Sequence, residues 1–367
     1  MVEWKKLGEV CKVHTGSQLN RADMLDEGKY PVVNGGREFS GYTDTFNERA
    51  NNITISQGGE SAGYVNWISD DFWAGAHCYV VEESKFFDKR FLYHTLKNKE
   101  RDIQTSKQGA GIPGLNRDTL YKLLIPIPPL FEQQRIVEAL DVFTSSIENL
   151  REQIAQRRKQ YEYYRDQLLD IEGKDLSMIK NWGDVCEMGK GNGVQKSDFV
   201  DEGYGCIHYG QIYTHYGSFT YETNKFVAKE VFDKARKASK GDIIMTDTSE
   251  NVEDICKSVA YLGEDDIAVS NHTFIIKHQQ DSKFLVYSTQ TNDFFNQKRK
   301  YVVGAKVSGI KPDDLSKIKI YLPTLSEQQR IVSILDTFEA SIQNLEAQLK
   351  QREKQYEYYR NKLLTFE

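Results

Sequence analysis

One long segment of the sequence occurs twice, and this repeat limits the folds open to the chain. Residues 132–169 align without gaps to residues 327–364 at a constant offset of 195, with 25 of 38 positions identical. Both copies open with Glu-Gln-Gln-Arg-Ile-Val, at Glu132 and at Glu327. Identity at this level does not arise by chance. It indicates one structural unit used twice.

The sequences upstream of the two copies diverge. Gly8-Glu9-Val10-Cys11 matches Gly183-Asp184-Val185-Cys186 at an offset of 175, whereas Gly114-Leu115 matches Gly309-Ile310 at 195. The second copy therefore carries 20 additional residues between these anchors. We predict four segments: a first variable domain at 1–131, a first spacer helix at 132–172, a second variable domain at 173–326 and a second spacer helix at 327–367.

Both repeated segments are predicted to be long helices. Pro129 and Pro323 stand just before them, and neither Gly nor Pro occurs from 130 to 172 or from 324 to the last residue. Apolar residues alternate at spacings of four and three, the pattern of a coiled-coil seam. A helix of about 38 residues is about 57 Å long, and the other copy is the obvious partner for its narrow seam. The predicted helix–helix seam is Ile136, Leu140, Phe143, Ile147, Leu150, Ile154, Tyr161, Ile331, Leu335, Phe338, Ile342, Leu345, Leu349 and Tyr356.

Arg157 and Arg352 interrupt this seam at equivalent points. Two interpretations stay open. Their stems could lie along the helices with the guanidinium groups in solvent, or the two arginines could form a polar pair that sets the register.

The variable domains have mixed secondary structure. Short strands are predicted at Ile53–Ser56, Cys78–Val81, Gly241–Met245 and His272–Ile276, between turns rich in Gly and Asn. Helical spacing covers Phe86–Lys99 and Phe284–Phe295. The predicted fold class is therefore α+β, with two pseudo-symmetric domains joined by two long helices.

Composition excludes several classes of protein. No run approaches the roughly 18 apolar residues of a membrane span, and the first residues lack a signal peptide, so we expect a soluble, cytoplasmic protein. The five cysteines contain no C-x-x-C pair and the seven histidines no H-E-x-x-H, so we expect neither disulfides nor a metal site. The net charge of −6 argues against a nucleic-acid partner, because phosphate contacts need basic residues.

Sequence motifs for catalysis are missing. The chain has no P-loop, no G-x-S-x-G and no G-x-G-x-x-G between a strand and a helix. Gly189–Gly193 is interpreted as a loop. Ile125–Pro129 superficially resembles the proline-containing motif of amino methyltransferases but lacks the preceding Asn or Asp and the following aromatic residue. The chain has the features of a DNA- or protein-binding module or a scaffold.

The order of these motifs resembles the specificity subunit of type I restriction–modification systems over the whole chain. The most specific parts are Gly114-Leu115-Asn116, then Pro128-Pro129-Leu130, then Glu132–Val137. The second version ends with Leu322-Pro323 and Glu327–Val332.

This resemblance implies a function. Each variable domain would be a target-recognition domain that reads one half of a bipartite site in double-stranded DNA, and the two helices would pack antiparallel as a ruler. Two modification subunits that carry S-adenosylmethionine and methylate adenine would dock on this frame. Restriction subunits that use ATP and Mg²⁺ would join them. The chain itself would hold no cofactor, catalyse no reaction and contact no membrane.

The distribution of charge along the chain weakens the argument against a nucleic-acid partner. The net charge is −1 for residues 1–131, −3 for 132–172, −1 for 173–326 and −1 for 327–367. Half of the net negative charge of the chain thus lies in the first helix. Nearly neutral domains can present a local basic surface, and partner subunits could supply phosphate contacts.

Candidate DNA-contacting residues come from loops that differ between the copies. Arg and Gln bond to purine edges, and Gly lets the backbone approach phosphate. A tight turn without a ligand is the alternative for each glycine loop, and a solvated helix end for the Lys298 cluster. The candidates are Asn34, Gly36, Arg37, Gln57, Gly58, Gly59, Lys107 and Gln108 in the first domain, and His208, Tyr209, Gln211, Thr246, Thr248, Lys298, Arg299 and Lys300 in the second.

Two other classes of function stay open. The chain could be a non-catalytic scaffold whose paired modules hold two protein ligands on a coiled-coil core. It could also be a self-sufficient restriction or methylation enzyme with an unrecognised site.

Overall fold

The computed structural model describes residues 2–106, 114–304 and 308–366. The chain divides into two compact units. The first unit comprises Met1–Glu152 and Glu346–Glu367, and the second comprises Gln153–Leu345. Each unit therefore combines one variable domain with part of both long helices.

The first unit begins with a strand that pairs with the last strand before the long helix. Its elements are β1 (Glu3–Lys6), α1 (Leu7–Val10), β2 (Val13–Thr15), β3 (Tyr30–Val33), β4 (Tyr42–Thr43), β5 (Asn52–Ser56), β6 (Val65–Ile68), β7 (Trp73–Ala74), β8 (Cys78–Val81), α2 (Lys89–Asn98), α3 (Glu100–Thr105), α4 (Arg117–Tyr121) and β9 (Leu124–Ile127). The main sheet has the order β2-β8-β5-β6, a second sheet has the order β4-β3-β7, and β1 pairs with β9.

Burial explains the central strands of the main sheet. Every residue of β5 and β8 is buried, as expected for apolar, β-branched runs that are covered on both faces. Asp88 caps the start of helix α2, and its carboxylate accepts hydrogen bonds from the amides of Arg90 and Phe91. Its face with Phe91, Leu92 and Leu96 lies in the same core.

The second unit repeats this arrangement with additions. Its elements are β10 (Ile179–Asn181), α6 (Trp182–Val185), β11 (Cys186–Lys190), β12 (Phe199–Val200), β13 (Tyr204–Ile207), α7 (Tyr209–Thr214), β14 (Phe219–Thr220), β15 (Lys225–Val227), α8 (Lys229–Lys234), β16 (Lys237–Ala238), β17 (Ile243–Thr246), β18 (Thr248–Ser249), β19 (Ser258–Tyr261), β20 (Ile267–Val269), β21 (Thr273–His278), α9 (Ser282–Ser288), α10 (Asn292–Lys298), β22 (Ser308–Gly309), α11 (Pro312–Leu315) and β23 (Lys319–Tyr321). The sheets have the orders β11-β21-β17-β19-β14 and β12-β15-β13-β20-β16, with the pairs β10-β23 and β18-β22.

Strand pairing identifies the equivalent elements. β5 lies between β8 and β6, and β17 lies in the same way between β21 and β19. β3 runs parallel to β7, and β13 runs parallel to β20. The insertions predicted from the offsets include α7 with β14, and α8 with β16.

The two long helices are α5 (Leu130–Leu169) and α12 (Leu325–Leu364), each of 40 residues. Both begin just after the prolines, so the predicted helices are confirmed. In the first unit the ring of Phe143 stacks on that of Tyr359, with centroids 5.2 Å apart. In the second unit Phe338 stacks on Tyr164 at 5.5 Å. These pairs exchange at the offset of 195, and in both units an early part of one helix meets a late part of the other, as in antiparallel packing.

Each arginine of the seam lies over an aromatic ring of the opposite helix within its own unit. The guanidinium of Arg352 lies 5.7 Å from the ring centroid of Phe143, and that of Arg157 lies 5.9 Å from Phe338. Each arginine therefore makes a cation–π contact, which neither interpretation included.

Seam residues also complete the cores of the domains. Ile136 and Leu140 lie in one apolar cluster with residues of α2, and Ile331 and Leu335 lie in another with residues of α9. Ile147, Leu150, Ile154 and Tyr356 are buried as well. The other predicted seam positions are half-buried: Phe143, Tyr161, Phe338, Ile342, Leu345 and Leu349.

The segment Phe284–Phe295 is two helices, not one. Helix α9 ends at Ser288, and α10 begins at Asn292 because the hydroxyl of Thr291 caps it by accepting a hydrogen bond from the amide of Phe294. In the described part of the chain, no helix is both long and apolar enough to cross a membrane.

Candidate nucleic-acid interface

Two predicted loops of the first unit meet beside His77, at the ends of β3 and β5. The amide of Gln57 donates to the carbonyl oxygen of His77 (2.9 Å), and the amide of His77 donates to Oδ1 of Asn34 (3.2 Å). The hydroxyl of Ser56 donates to the carbonyl oxygen of Gly35. The structure therefore brings Asn34 and Gln57 together. We call this place, defined by Asn34, Gln57 and His77, the first strand-end junction.

Glycine is required at one position of this junction. Gly35 has a φ of +87°, and a Cβ atom there would lie 2.4 Å from the carbonyl oxygen of His77. Gly59 also has a positive φ, of +74°, whereas a Cβ at Gly58 would meet no atom within 4 Å. The close packing at Gly35 holds the loop against the end of the sheet.

Other candidates of the first unit lie nearby in sequence and are exposed. Gly36 is exposed, and the exposed Arg37 lies over the ring of Tyr64, with its guanidinium 5.6 Å from the centroid. Lys107 and Gln108 lie outside the described residues.

The second unit has the equivalent junction. The amide of Asp247 donates to the carbonyl oxygen of His272 (3.1 Å), as Gln57 does to His77. The amide of Tyr209 donates to the hydroxyl of Ser270 (2.8 Å), and its ring lies edge-on to His272 with centroids 5.3 Å apart. We call Tyr209, Asp247 and His272 the second strand-end junction.

Several candidates of the second unit have their polar groups occupied within the protein. His208 is buried, and its Nδ1 accepts from the amide of Gly210. Gln211 accepts from the amide of His208 through Oε1 and donates to Asn224 through Nε2. Thr246 is fully buried in β17. Burial lowers the pKa of His208, with nearby Lys196 and His272 adding to the effect. Thr248 is half-buried, and its carbonyl oxygen accepts from the hydroxyl of Tyr213.

Lys298 differs from its two neighbours. Its side chain is buried, and its ammonium group donates to the carbonyl oxygens of Glu253 (2.8 Å) and Ile255. Burial lowers its pKa. This ammonium therefore stabilises the loop before β19 and is not presented to a ligand, whereas Arg299 and Lys300 are exposed at the end of α10.

A buried glutamine attaches each variable domain to its long helix. The side chain of Gln133 accepts from the amide of Asp88 (2.8 Å) and donates to the carbonyl oxygens of Phe86 (3.0 Å) and Pro128 (2.9 Å). Gln328 accepts from the amide of Asp281 (3.0 Å) and donates to the carbonyl oxygen of Pro323 (2.8 Å). The repeated Glu-Gln-Gln motif thus fixes the first turn of the helix to the cap of α2 or α9.

A carboxylate about two turns further along the helix forms the second attachment. Oδ1 of Asp141 accepts from Nε of Arg90 (2.7 Å) and bonds to Nε2 of His94 (2.8 Å), whose Nδ1 bonds to the hydroxyl of Tyr356 (2.8 Å). Burial favours the neutral form of Asp141, but the hydrogen bonds from His94 and Arg90 outweigh it and hold the pKa below its usual value. Burial lowers the pKa of His94.

The second unit replaces this network with different residues in the same places. Asp336 accepts from the ammonium of Lys283 (2.8 Å) and from the hydroxyl of Tyr287 (2.7 Å). Each variable domain is therefore attached to a long helix through a half-buried carboxylate, whereas the loops at the strand ends differ.

Sequence reasoning missed His77, His272 and the anchoring residues Gln133 and Asp141. The anchors carried a signal, because both recur at offset 195, as Gln328 and Asp336. The two histidines carried none, since their equivalence depends on strand pairing. In the described ranges, no group of three or more His, Cys, Asp or Glu could hold a metal ion.

The fold and the paired junctions define a class of protein: two recognition modules on a duplicated helical frame. The family described as type I restriction modification DNA specificity domain matches residues 1–157 and 175–353, and the chain belongs to this family.

Similar proteins cover the whole chain. A putative type I restriction enzyme specificity subunit of Haemophilus influenzae is 28% identical over all of this chain and 96% of its own length. The EcoR124I/EcoR124II specificity subunit of Escherichia coli is 25% identical over all of this chain and 94% of its own length. The crystal structure of a type I S subunit from M. genitalium shares the fold, with a TM-score of 0.61 and 19% identity over 100% of this chain and 97% of that one. The α+β class with two recognition domains and long helices is thus confirmed.

Proposed function

We propose that this chain is the specificity subunit of a type I restriction–modification complex, in which the first unit reads one half of a bipartite DNA site and the second unit reads the other. One observation carries this proposal within the family: the same strand-end junction is built twice, each time from diverged loops, while the two long helices share 25 of 38 aligned residues. The duplicated helices give the two recognition domains the same local support, while the loops determine which DNA sequence each domain recognises.

The chain supplies recognition and not catalysis in this proposal. Its partners are two modification subunits, which hold S-adenosylmethionine, and restriction subunits, which use ATP and Mg²⁺. The lack of catalytic motifs in the sequence supports this division of labour. The near-neutral charge of both variable domains supports it as well, because much of the phosphate contact would then come from partner subunits.

A domain exchange tests the proposal. Residues 1–131 are replaced by the variable domain of another family member, and the chimera is expressed with the modification subunits in cells whose methylated motifs are then sequenced. We expect one half of the motif to change and the other half to stay the same, because the anchoring contacts of the second unit are untouched.

Two results would contradict the proposal in different ways. A change in both halves would show that the two units read DNA jointly. If cells with the wild-type gene carried no methylated motif beyond those of cells without it, the chain would not direct methylation, and a protein-binding scaffold would be the better description.

A further inference from the structure

Each strand-end junction holds an exposed histidine at the same structural position. His77 directly precedes β8 and His272 directly precedes β21, and both are exposed. In both units the carbonyl of this histidine accepts a hydrogen bond from the residue that follows the adjacent central strand, Gln57 or Asp247. The surrounding loops differ in sequence, and the chain has only seven histidines in 367 residues. The presence of histidine at the same position in both junctions therefore indicates a role for the imidazole side chain.

Burial does not account for the imidazole of His272. Its side chain is 57% exposed, and its backbone has a φ of +63°, a conformation that is uncommon outside glycine and in which Asn, Asp and His are enriched. Residues held in sparsely populated backbone regions cluster at functional sites. The ring contacts Tyr209 edge-on, and the exposed part of the side chain is accessible to a contact outside the chain.

Charged groups surround His272 in a specific way. One oxygen of the buried Asp247, Oδ2, lies 3.3 Å from the ammonium of Lys190. The other, Oδ1, has no hydrogen-bond partner among the described residues and lies 3.9 Å from Nδ1 of His272. A small rotation of the imidazole would let Nδ1–H donate to this oxygen. The opposite ring nitrogen, Nε2, would then be held as an acceptor.

The first junction also has a cation beside it. Arg117 and Gln57 line one open cleft of 580 Å³. The guanidinium of Arg117 donates to the hydroxyl of Thr15 (2.9 Å), and Thr15 pairs with Tyr79 as Lys190 pairs with Phe274 in the second unit. Each junction thus has a positive charge beside it, Arg117 in the cleft with Gln57 and Lys190 next to Asp247, and such charges suit an adjacent phosphate.

We propose that His77 and His272 contact base edges in the major groove, one in each half-site, and that Asp247 positions His272 so that its Nε2 accepts a hydrogen bond from the exocyclic amino group of an adenine or a cytosine. These amino groups are the donors that the major groove presents. This inference rests on the proposed function and names the residues that carry it out.

The test uses the complete complex and asparagine variants, since asparagine tolerates the left-handed backbone. His272→Asn should alter the base preference at one position of one half of the methylated motif, and His77→Asn should do so in the other half. His215→Asn, an exposed histidine outside the junction, is the matched control and should leave the motif unchanged.

A binding measurement gives the chemical detail. The duplex carries, at the altered position, a base analogue that lacks the exocyclic amino group. The wild-type complex should lose about ten- to a hundredfold in affinity on this duplex, while His272→Asn should lose less than about threefold. Asp247→Asn should resemble His272→Asn in this assay and keep the melting temperature of the wild type within a few degrees.

The outcomes separate the inference from the proposed function. If the wild type directs methylation to a bipartite motif but both histidine variants keep that motif and the same affinities, the inference is wrong and the proposed function stands. If His272→Asn directs no methylation, equal loss of binding on every duplex overturns the inference, and loss confined to one base position supports it. If the wild type directs no methylation, the proposed function fails first.

Discussion

Replacing Gln133 by alanine should destabilise the first unit strongly, although the residue carries no charge. Gln133 is 1% exposed and makes three hydrogen bonds of 2.8, 2.9 and 3.0 Å, to Asp88, Pro128 and Phe86. A buried hydrogen bond contributes a net ~1 kcal/mol, so the three together contribute ~3 kcal/mol to the free energy of unfolding. For a unit of this size the melting temperature should fall by about 6–12 °C.

The repeated motif provides a matched control. Gln134 is the next residue and is exposed, so Gln134→Ala should change the free energy of unfolding by less than about 0.5 kcal/mol. The isosteric Gln133→Glu should cost at least as much as alanine at neutral pH, because it places a carboxylate against two carbonyl oxygens. Gln328 and Gln329 repeat the comparison in the second unit, where Gln328 is 0% exposed.

Urea unfolding and hydrogen exchange measured by mass spectrometry check this prediction. Exchange should accelerate in peptides that cover α2 for Gln133→Ala, and in peptides that cover α9 for Gln328→Ala. Equal losses for Gln133→Ala and Gln134→Ala, or a loss below about 0.5 kcal/mol for Gln133→Ala, would refute the assignment of this residue as the anchor.

Three further predictions concern charge, pH and length. Lys298→Met should lower the free energy of unfolding by about 2 kcal/mol, since two carbonyl oxygens lose their donor, and it should leave the salt dependence of DNA binding unchanged. Lys300→Ala should leave the free energy of unfolding unchanged and reduce the slope of log affinity against log salt concentration by about one. Because burial lowers the pKa of His94, the unfolded chain binds a proton at this residue before the folded chain does. The free energy of unfolding should therefore fall as the pH decreases below about 6.5, with a slope of at most about 1.4 kcal/mol per pH unit from this group. His94→Gln should flatten that slope in urea titrations at pH 7.5 and 5.5. Inserting one heptad after both Ile154 and Leu349 lengthens each helix by about 10 Å and should lengthen the spacer of the methylated motif by about three base pairs, and an active variant with an unchanged spacer would show that the helices are not the ruler.

The sequence predicted those parts of the fold that depend on local pattern. The long helices follow from alternating spacings of four and three and from Pro129 and Pro323, and the strand Ile53–Ser56 follows from a short β-branched run between turns. The break between α9 and α10 was missed because the apolar spacing continues across it, while the hydroxyl of Thr291 starts a new helix.

The site was harder to predict because its residues are joined by pairing across the sheets. His272 lies beside Asp247 only because β17 and β21 are neighbours, and these two residues are 25 positions apart in sequence. Lys298 belongs to a run of three basic residues that is typical of a phosphate-binding cluster. Its ammonium, however, donates hydrogen bonds to carbonyl oxygens more than 40 residues earlier in the chain. Local pattern does not show which of three adjacent basic side chains will be buried.

The division of the chain into units also determines when each can fold during synthesis. Residues 153–345 form one continuous stretch, so the second unit is complete as soon as that stretch has left the ribosome. The first unit, although its synthesis starts earlier, lacks Tyr356 and Leu364 of its core until that second helix has been made. At a translation rate of 5–20 residues per second, about 10–40 seconds pass between the synthesis of the two parts of the first unit, and its apolar surface is uncovered during that time. The usual order, in which the N-terminal domain completes its core first, is thus reversed in this chain.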